Sequence, residues 1–420
     1  GAAVFDRDNP RKATWRSDYP LWEAPSDWPT RIVHPLGIIE FERTLMAYWE
    51  VDGAIYASAL PRFWRDRNWP GQIPATAPAL QRYEGNPVLE PRATHPWDAV
   101  AAFNPTALHE DGKTHILYRA IGVGDVSVIG HAVSKDGSDI HYRSDHPVYA
   151  PREPFEGAGH KHKGINPKQY PNMAYISGGG GAGGCEDPRL TRIDDTVYMT
   201  YVAYDGGSPP RVALTSIGID DFLEGEWNWT KPVLISEPGV INKNACILPE
   251  KINGKYVIFH RVYPDILIDY VDDLEFDGET KWLETKAKIS PRATAWDSRK
   301  IGVGPTPLKT DKGWLVIYQA VGEQDPSRYK MGAMLLDLKD PSKVLYRSRH
   351  PILEPVEWYE NNGHKYGVIY PCGAVIRDDM LYVYYGGADK VVCVASAPLK
   401  EFLEQLISTE SPHLRAVSVG

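Results

Sequence analysis

A chain of 420 residues with 42 % hydrophobic and 24 % charged residues has the composition of an ordinary folded domain and excludes a wholly disordered one. It has no run of about 18 uninterrupted apolar residues, so a transmembrane helix is not expected. Its net charge of −9 argues against nucleic acid as a partner, because phosphate-backbone binding leaves a basic footprint. The opening GAAVFDRDNPRKATW carries charges where a signal peptide needs an apolar core, which points to a cytoplasmic protein. The four cysteines, Cys185, Cys246, Cys372 and Cys393, are scattered without a CxxC pair, so neither a disulfide framework nor a metal site is expected. With 37 Gly, 35 Pro, 13 Trp and 24 Tyr, the chain favours turns and aromatic-rich strands over helices.

Residues 1–80 read as an N-terminal arm. They hold Trp15, Trp22, Trp28, Trp49, Trp64 and Trp69, and the stretch IIEFERTLMAYWE, Ile38 to Glu50, predicts a helix. Such an arm packs on the rest of the chain, closes an exposed sheet edge, or joins a second copy in a homo-oligomer.

Residues 81–420 are built from repeats. One phrase recurs as NPVLEP at Asn86–Pro91, HPVYAP at His146–Pro151, KPVLIS at Lys231–Ser236 and HPILEP at His350–Pro355. A longer unit starts at Asn104, Asp187, Ala245, Gly304 and Tyr370: an apolar stretch, a polar turn, then an aromatic-rich strand. Each unit reads as a β-hairpin, and five of them predict an all-β, five-bladed β-propeller. The alignment places Asn104, Asp187, Ala245, Gly304 and Tyr370 around one end of the axis, with Arg119, Val202, His260, Gln319 and Tyr385 beside them. Ala397 to Ser408 predicts a short C-terminal helix.

Chemistry concentrates in a few of these residues. In GCEDPR, Gly184 to Arg189, Asp187 faces the axis; a carboxyl confined there can have its pKa raised, as a general acid needs, or it can cap a turn. The preceding SGGGGAGG from Ser177 reads as a mobile loop beside the pocket and not as a phosphate loop, since no Lys-Ser/Thr follows it. Lys243, His260 and Arg261, with Arg211 as a weaker member, make a cationic group suited to a small oxyanion, or ordinary surface charge. Asp389 in YYGGAD binds sugar hydroxyls or stabilises the closing turn. His160, Lys161, His162 and Lys163 read as a solvated loop.

FNPTA near Asn104, LYRA at Leu117–Ala120, GCEDPR, NKNACILPEKINGKYVIFHR from Asn242, WDSRKIGVGPTPL from Trp296 and YPCGAVIRDDMLYVYYGGAD from Tyr370 together resemble glycoside hydrolase family 130. These are the β-mannoside phosphorylases and related β-mannosidases, and they are five-bladed propellers. The resemblance covers about Tyr83 to Ser408 and leaves out the arm. It implies inverting phosphorolysis of a β-mannoside to α-mannose 1-phosphate, with Asp187 as proton donor acting through the mannosyl 3-hydroxyl. It further implies that Asn104, Arg119 and Asp389 hold mannose and that Lys243, His260, Arg261 and Arg211 bind phosphate. Inorganic phosphate is then a co-substrate and no other cofactor is required. Two departures stand out: Gln319 where many relatives have His, and a long segment from Gly157 to Gly184. A family 130 hydrolase and a non-catalytic glycan-binding propeller are the competing readings.

Overall fold

The computed structural model describes residues 79–158, 181–293 and 295–408, together with five strands within the first 60 residues. The His160–Lys163 run and the first half of the glycine-rich run, residues 177–180, lie outside the described residues. Two compact units divide the chain, Gly1–Ala75 and Thr76–Gly420.

In the first unit, Ala3–Phe5 pairs with Ala13–Arg16, and His34–Phe41, Thr44–Val51 and Ala54–Leu60 form a three-stranded antiparallel sheet. The helix expected over Ile38–Glu50 is therefore a hairpin. Its apolar residues come in adjacent pairs, Ile38-Ile39, Leu45-Met46 and Tyr48-Trp49, which fit a helical face and a strand equally well. Pairing decides: Ile39 lies opposite Met46, and Trp49 opposite Tyr56 of the third strand. That third strand is information a window of thirteen residues does not contain.

The second unit is mostly β, and its strands fall into five sequential antiparallel sets. The first three are 101–143, 183–234 and 243–289; the fourth is 300–347; the fifth is 369–398, completed by Gln81–Arg82 pairing with Val391–Pro398. The first two sets join as one eight-stranded sheet through a parallel pairing of Gly183 and Gly184 with Val126 and Ser127. Gly184 is required there: it sits at φ 114°, and a Cβ on it would lie 2.2 Å from the Ser127 carbonyl oxygen. Alternating aromatic and β-branched residues, as in TVYMTYVAY, make the inner strands. The tight turns Asp111-Gly112, Asn253-Gly254 and Asp378-Asp379 have positive φ at both positions, the hand that matches strand twist.

Five apolar cores lie between successive sets. The first set packs on the second through Leu117, Ile129, Cys185 and Val197, the second on the third through Val212, Leu214, Ala245 and Ile258, and the third on the fourth through Cys246, Phe259, Val303 and Trp314. Ile317, Met331, Ile369 and Val383 join the fourth to the fifth, where the C-terminal helix Leu399–Ser408 adds Phe402, Leu403 and Leu406. Ala102, Ile116, Val375 and Val394 return the fifth set to the first.

Buried acids pin these sets from within. Asp98 accepts from Arg92 Nε at 2.9 Å and Arg143 at 2.7 Å, with the Tyr118 hydroxyl at 3.4 Å. Asp297 repeats the arrangement with Arg292 Nε at 3.0 Å, Tyr318 at 2.9 Å and Arg347. Both stand on the phrase PRAT, at Pro91 and Pro291, followed by Trp-Asp, a repeat the hairpin alignment passed over.

Candidate active site

Backbone irregularity builds the site. The register of the first strand slips between Phe103 and Thr106, Glu186 and Arg189, and Lys243 and Cys246 in the first three sets. Within each bulge one residue adopts positive φ: Asn104 at 46°, Asp187 at 50° and Asn244 at 57°. Asn and Asp tolerate this left-handed region best among residues with a side chain, and a bulge re-aims the side chain it carries. The third member is thus Asn244. Ala245, aligned to that position from sequence, is one residue late and lies in the apolar core between the second and third sets. The register pairs Lys243 with Arg261, so Arg261 occupies the position of Arg119, and His260 that of Tyr118.

These side chains converge. Asn104 Nδ2 donates to Asp187 Oδ1 at 2.8 Å, and Arg119 reaches the same oxygen at 3.4 Å. Arg119 also donates to Glu186 Oε1 at 3.0 Å and to Ser127 Oγ at 3.0 Å, and stacks on Phe103 at 4.8 Å. Lys243 Nζ lies 3.5 Å from Glu186 Oε2. Arg189 donates to the Asp187 carbonyl at 2.7 Å and the Gly304 carbonyl at 3.1 Å. Asn244 donates to the Tyr370 hydroxyl. With its amide turned so that donor faces acceptor, Gln319 donates to the Gly302 carbonyl at 2.7 Å and accepts from Asn244 at 3.3 Å. All of Asn104, Arg119, Glu186, Asp187, Lys243, Asn244, Gln319 and Asp389 are buried.

Three polar atoms in this group are buried without a hydrogen-bond partner: Asn104 Oδ1, Arg189 Nη2 and Arg261 Nε. One acceptor and two cationic donors left open within one cluster are unusual in a folded protein and describe what a ligand with hydroxyls and negative charge would satisfy.

The remaining expected residues differ. His260 has both ring nitrogens engaged, Nε2 with Asp269 Oδ2 at 2.8 Å and Nδ1 with the Asn242 amide at 2.9 Å, so it stands behind its neighbours. Arg211 is turned away: it donates to the Ser236 carbonyl at 2.8 Å, stacks on Trp282 at 4.7 Å, and lines a separate cavity of about 220 Å³ with Phe155, Pro209 and Leu234. Of the ten positions aligned around the axis, Val202 is buried in the sheet, and Tyr385 bonds to Glu360.

The electrostatics reverse one expectation. Burial pushes the Asp187 carboxyl up, but Arg119, Arg189, the Asn104 amide and Lys243 outweigh it and hold the group below the usual carboxylate range. Asp389 is the carboxyl that is raised, chiefly by burial and further by Asp187, against Lys365 and Arg119. Burial lowers Lys243, and Glu186 and Asp187 oppose that.

Sequence reasoning missed several members. Lys300 and Lys365 each hold Nζ 4.5 Å over the Tyr329 ring, and Lys300 also bonds to its hydroxyl. Burial pushes Tyr329 up, yet Lys300 and Lys365 win and bring it down to about 8. Lys300 closes the WDSRK phrase that begins at Trp296. Lys365 comes from a loop outside every repeat and left no signal. Among the described residues no three His, Cys, Asp or Glu side chains group as a metal ion would need.

Known proteins resemble this chain over most of its length. The family model described as beta-1,4-mannooligosaccharide phosphorylase matches residues 75–407. A 1,2-beta-oligomannan phosphorylase of Thermoanaerobacter sp. (strain X514) is 37 % identical over 329 residues, covering 77 % of this chain and 98 % of its own. A beta-1,2-mannobiose phosphorylase of the same organism is 38 % identical over 330 residues, covering 75 % and 96 %. Among solved structures, the beta-1,2-mannobiose phosphorylase of Listeria innocua, in complex with beta-1,2-mannobiose, matches with a TM-score of 0.60 at 26 % identity, covering 78 % of this chain and 99 % of that one.

Proposed function

The chain belongs to glycoside hydrolase family 130, and from that premise we propose that it is a glycoside phosphorylase acting on β-1,2-linked mannosides. The linkage rests on the two relatives at 37 % and 38 % identity, both named for β-1,2 substrates, against 29 % for a beta-1,4-mannooligosaccharide phosphorylase. Inorganic phosphate is the co-substrate, and α-mannose 1-phosphate and a released sugar are the products. The observation that carries the reading is the trio of open atoms around Asp187. Asn104 Oδ1 suits a sugar hydroxyl, while Arg189 Nη2 and Arg261 Nε suit an oxyanion.

A phosphate oxygen attacks the anomeric carbon from the side of Lys243 and Arg261 as the bond to the leaving sugar's oxygen breaks. Asp187 supplies the proton to that oxygen, directly or through the mannosyl 3-hydroxyl, and is reprotonated from solvent or the incoming phosphate. Phosphate in this role removes the need for an enzymic nucleophile or for a second carboxylate to activate water. The lowered pKa of Asp187 suits the order of events. A dianion beside Lys243 and Arg261 offsets the cations that keep the carboxyl ionised, so substrate binding itself raises its hold on a proton. Asn104, Arg119 and Asp389 hold the mannosyl side, Arg119 also fixing Asp187, and His260 orients Asn242. A second reading makes Asp389 the donor, favoured by a carboxyl pKa that burial raises.

The five strand sets, with cores running from each to the next and back to the first, support a five-bladed β-propeller with the site at one end of its axis. A cytoplasmic setting fits four cysteines that are all free and buried. Incubation of dialysed protein with β-1,2-mannobiose, with and without phosphate, tests the function: α-mannose 1-phosphate should form only in the first tube. Equal release of free mannose in both would make the protein a hydrolase, and no product in either would leave a binding module.

A further inference from the structure

We propose that Glu186 is a positioning residue that locks the sugar-side cation Arg119 and the phosphate-side cation Lys243 into one unit, so that the phosphate site is preset by the carboxylate next to the proton donor. The inference rests on the phosphorolysis reading above and assigns a role to the residue beside Asp187 within its motif.

The argument begins with register. Phe103, Glu186 and Lys243 each precede the positive-φ residue of their bulge, in the first, second and third strand sets. Glu186 is therefore the middle of three equivalent positions, with the Arg119–Phe103 stack on one side and Lys243 on the other. Its oxygens are divided accordingly, Oε1 to Arg119 at 3.0 Å and Oε2 to Lys243 at 3.5 Å, and the residue is 0 % exposed. A bidentate carboxylate is the side chain that accepts from two cations at once. Asp at this position falls one methylene short of both. Gln has one acceptor oxygen, and its NH₂ must face a cation whichever way it turns. Arg119 has the shorter bond and is also tied to Ser127 and Asp187, so the Gln oxygen stays with Arg119 and the NH₂ is set against Lys243. The loss then falls on the phosphate side.

A double-mutant cycle on the full chain tests this: wild type, Glu186→Gln, Lys243→Met and the double variant, with Glu186→Asp alongside. KM for phosphate, KM for β-1,2-mannobiose, kcat and the melting temperature are measured for each. Glu186→Gln should raise the phosphate KM about ten- to a hundredfold, the loss expected when a charged hydrogen bond is misplaced, while the mannobiose KM moves far less. Glu186→Asp should recover part of the loss, and in the Lys243→Met background Glu186→Gln should add little. A phosphate KM unchanged in Glu186→Gln, full additivity in the double variant, or an equal rise in both KM values would overturn the proposal. Should Glu186→Gln fail to fold, Glu186→Asp decides: a rise in phosphate KM alone supports the role, and an unchanged value sinks it. Wild type that cleaves equally well without phosphate overturns the phosphorolysis reading and this inference with it; wild type that needs phosphate, beside an unaffected Glu186→Gln, removes only the role of Glu186.

Discussion

Asn104 and Asp187 meet side chain to side chain at 2.8 Å across 83 residues of chain, each on a bulge residue with positive φ. The bond leaves the buried Asn104 oxygen, which packs against Gly386, without a hydrogen-bond partner of its own. Asp187→Asn keeps the size and the bulge but cannot give up a proton. Turnover should fall by about 10² to 10⁴ with the fold retained, while the melting temperature drops because Asn offers Arg119, Arg189 and Lys243 no negative charge. Asp389→Asn, measured beside it, should raise the KM for mannoside and spare most of kcat. The reverse pattern, with Asp389→Asn the inactive variant, would move the donor role to Asp389.

Arg261 and Arg211 separate two kinds of cation that look alike in sequence. Arg261 Nε is buried without a partner beside Lys243, whereas Arg211 is spent on the Ser236 carbonyl and Trp282. Arg261→Met should raise the phosphate KM about ten- to a hundredfold, because a hydrogen bond to a charged group contributes roughly 1.5–3 kcal/mol. Arg211→Met should leave the phosphate KM near wild type. Equal rises in both would return Arg211 to the phosphate site.

Hairpin periodicity carried most of the second unit's organisation, because Asp-Gly and Asn-Gly turns between aromatic strands are local signals. It also brought Asn104, Arg119 and Asp187 into one frame. The third repeat shows where local reading stops. Its hairpin is two residues longer between bulge and partner, as the slip from Lys243–Arg261 to Cys246–Phe259 reveals, so a gap-free alignment put Ala245 where Asn244 belongs. Glu186 was passed over because a sequence does not say which of two adjacent acids faces a cation on a neighbouring sheet. Lys365 depends on the packing of a loop, and the lowered pKa of Asp187 depends on four partners drawn from three strand sets.

The arm carries a prediction about assembly. Six tryptophans among residues 1–80 are a large apolar load for a segment whose described strands form one two-stranded and one three-stranded sheet. Removal should stop at Ala75, since Leu80 belongs to the core and Gln81–Arg82 to the fifth strand set. A chain beginning at residue 76 should change oligomer size in sedimentation or lose solubility. Unaltered sedimentation, melting temperature and activity would show the first unit to be dispensable.

A buried histidine pair far from the open atoms predicts how stability depends on pH. His115 and His131 stack with their planes 5° apart, Nδ1 of the first 3.2 Å from Nε2 of the second, against Phe222 and Trp227. Their outer nitrogens, His115 Nε2 and His131 Nδ1, are buried without partners. Burial lowers His115 from 6.5 to about 4, with Lys113 adding to it and Asp111 opposing, and burial and His115 lower His131 to about 3. The unfolded chain therefore takes up protons first as pH falls, and the folded state loses stability between pH 6.5 and about 4, while above 6.5 the contribution is fully present. At ~1.4 kcal/mol per pKa unit, His131 alone removes on the order of 3 kcal/mol by pH 4. The melting temperature should fall steeply over that window, and the paired substitution His115→Leu with His131→Leu should flatten the fall. An equally steep profile in the paired variant would assign the acid sensitivity elsewhere, to carboxylates such as Asp187 whose lowered pKa acts in the same direction at lower pH.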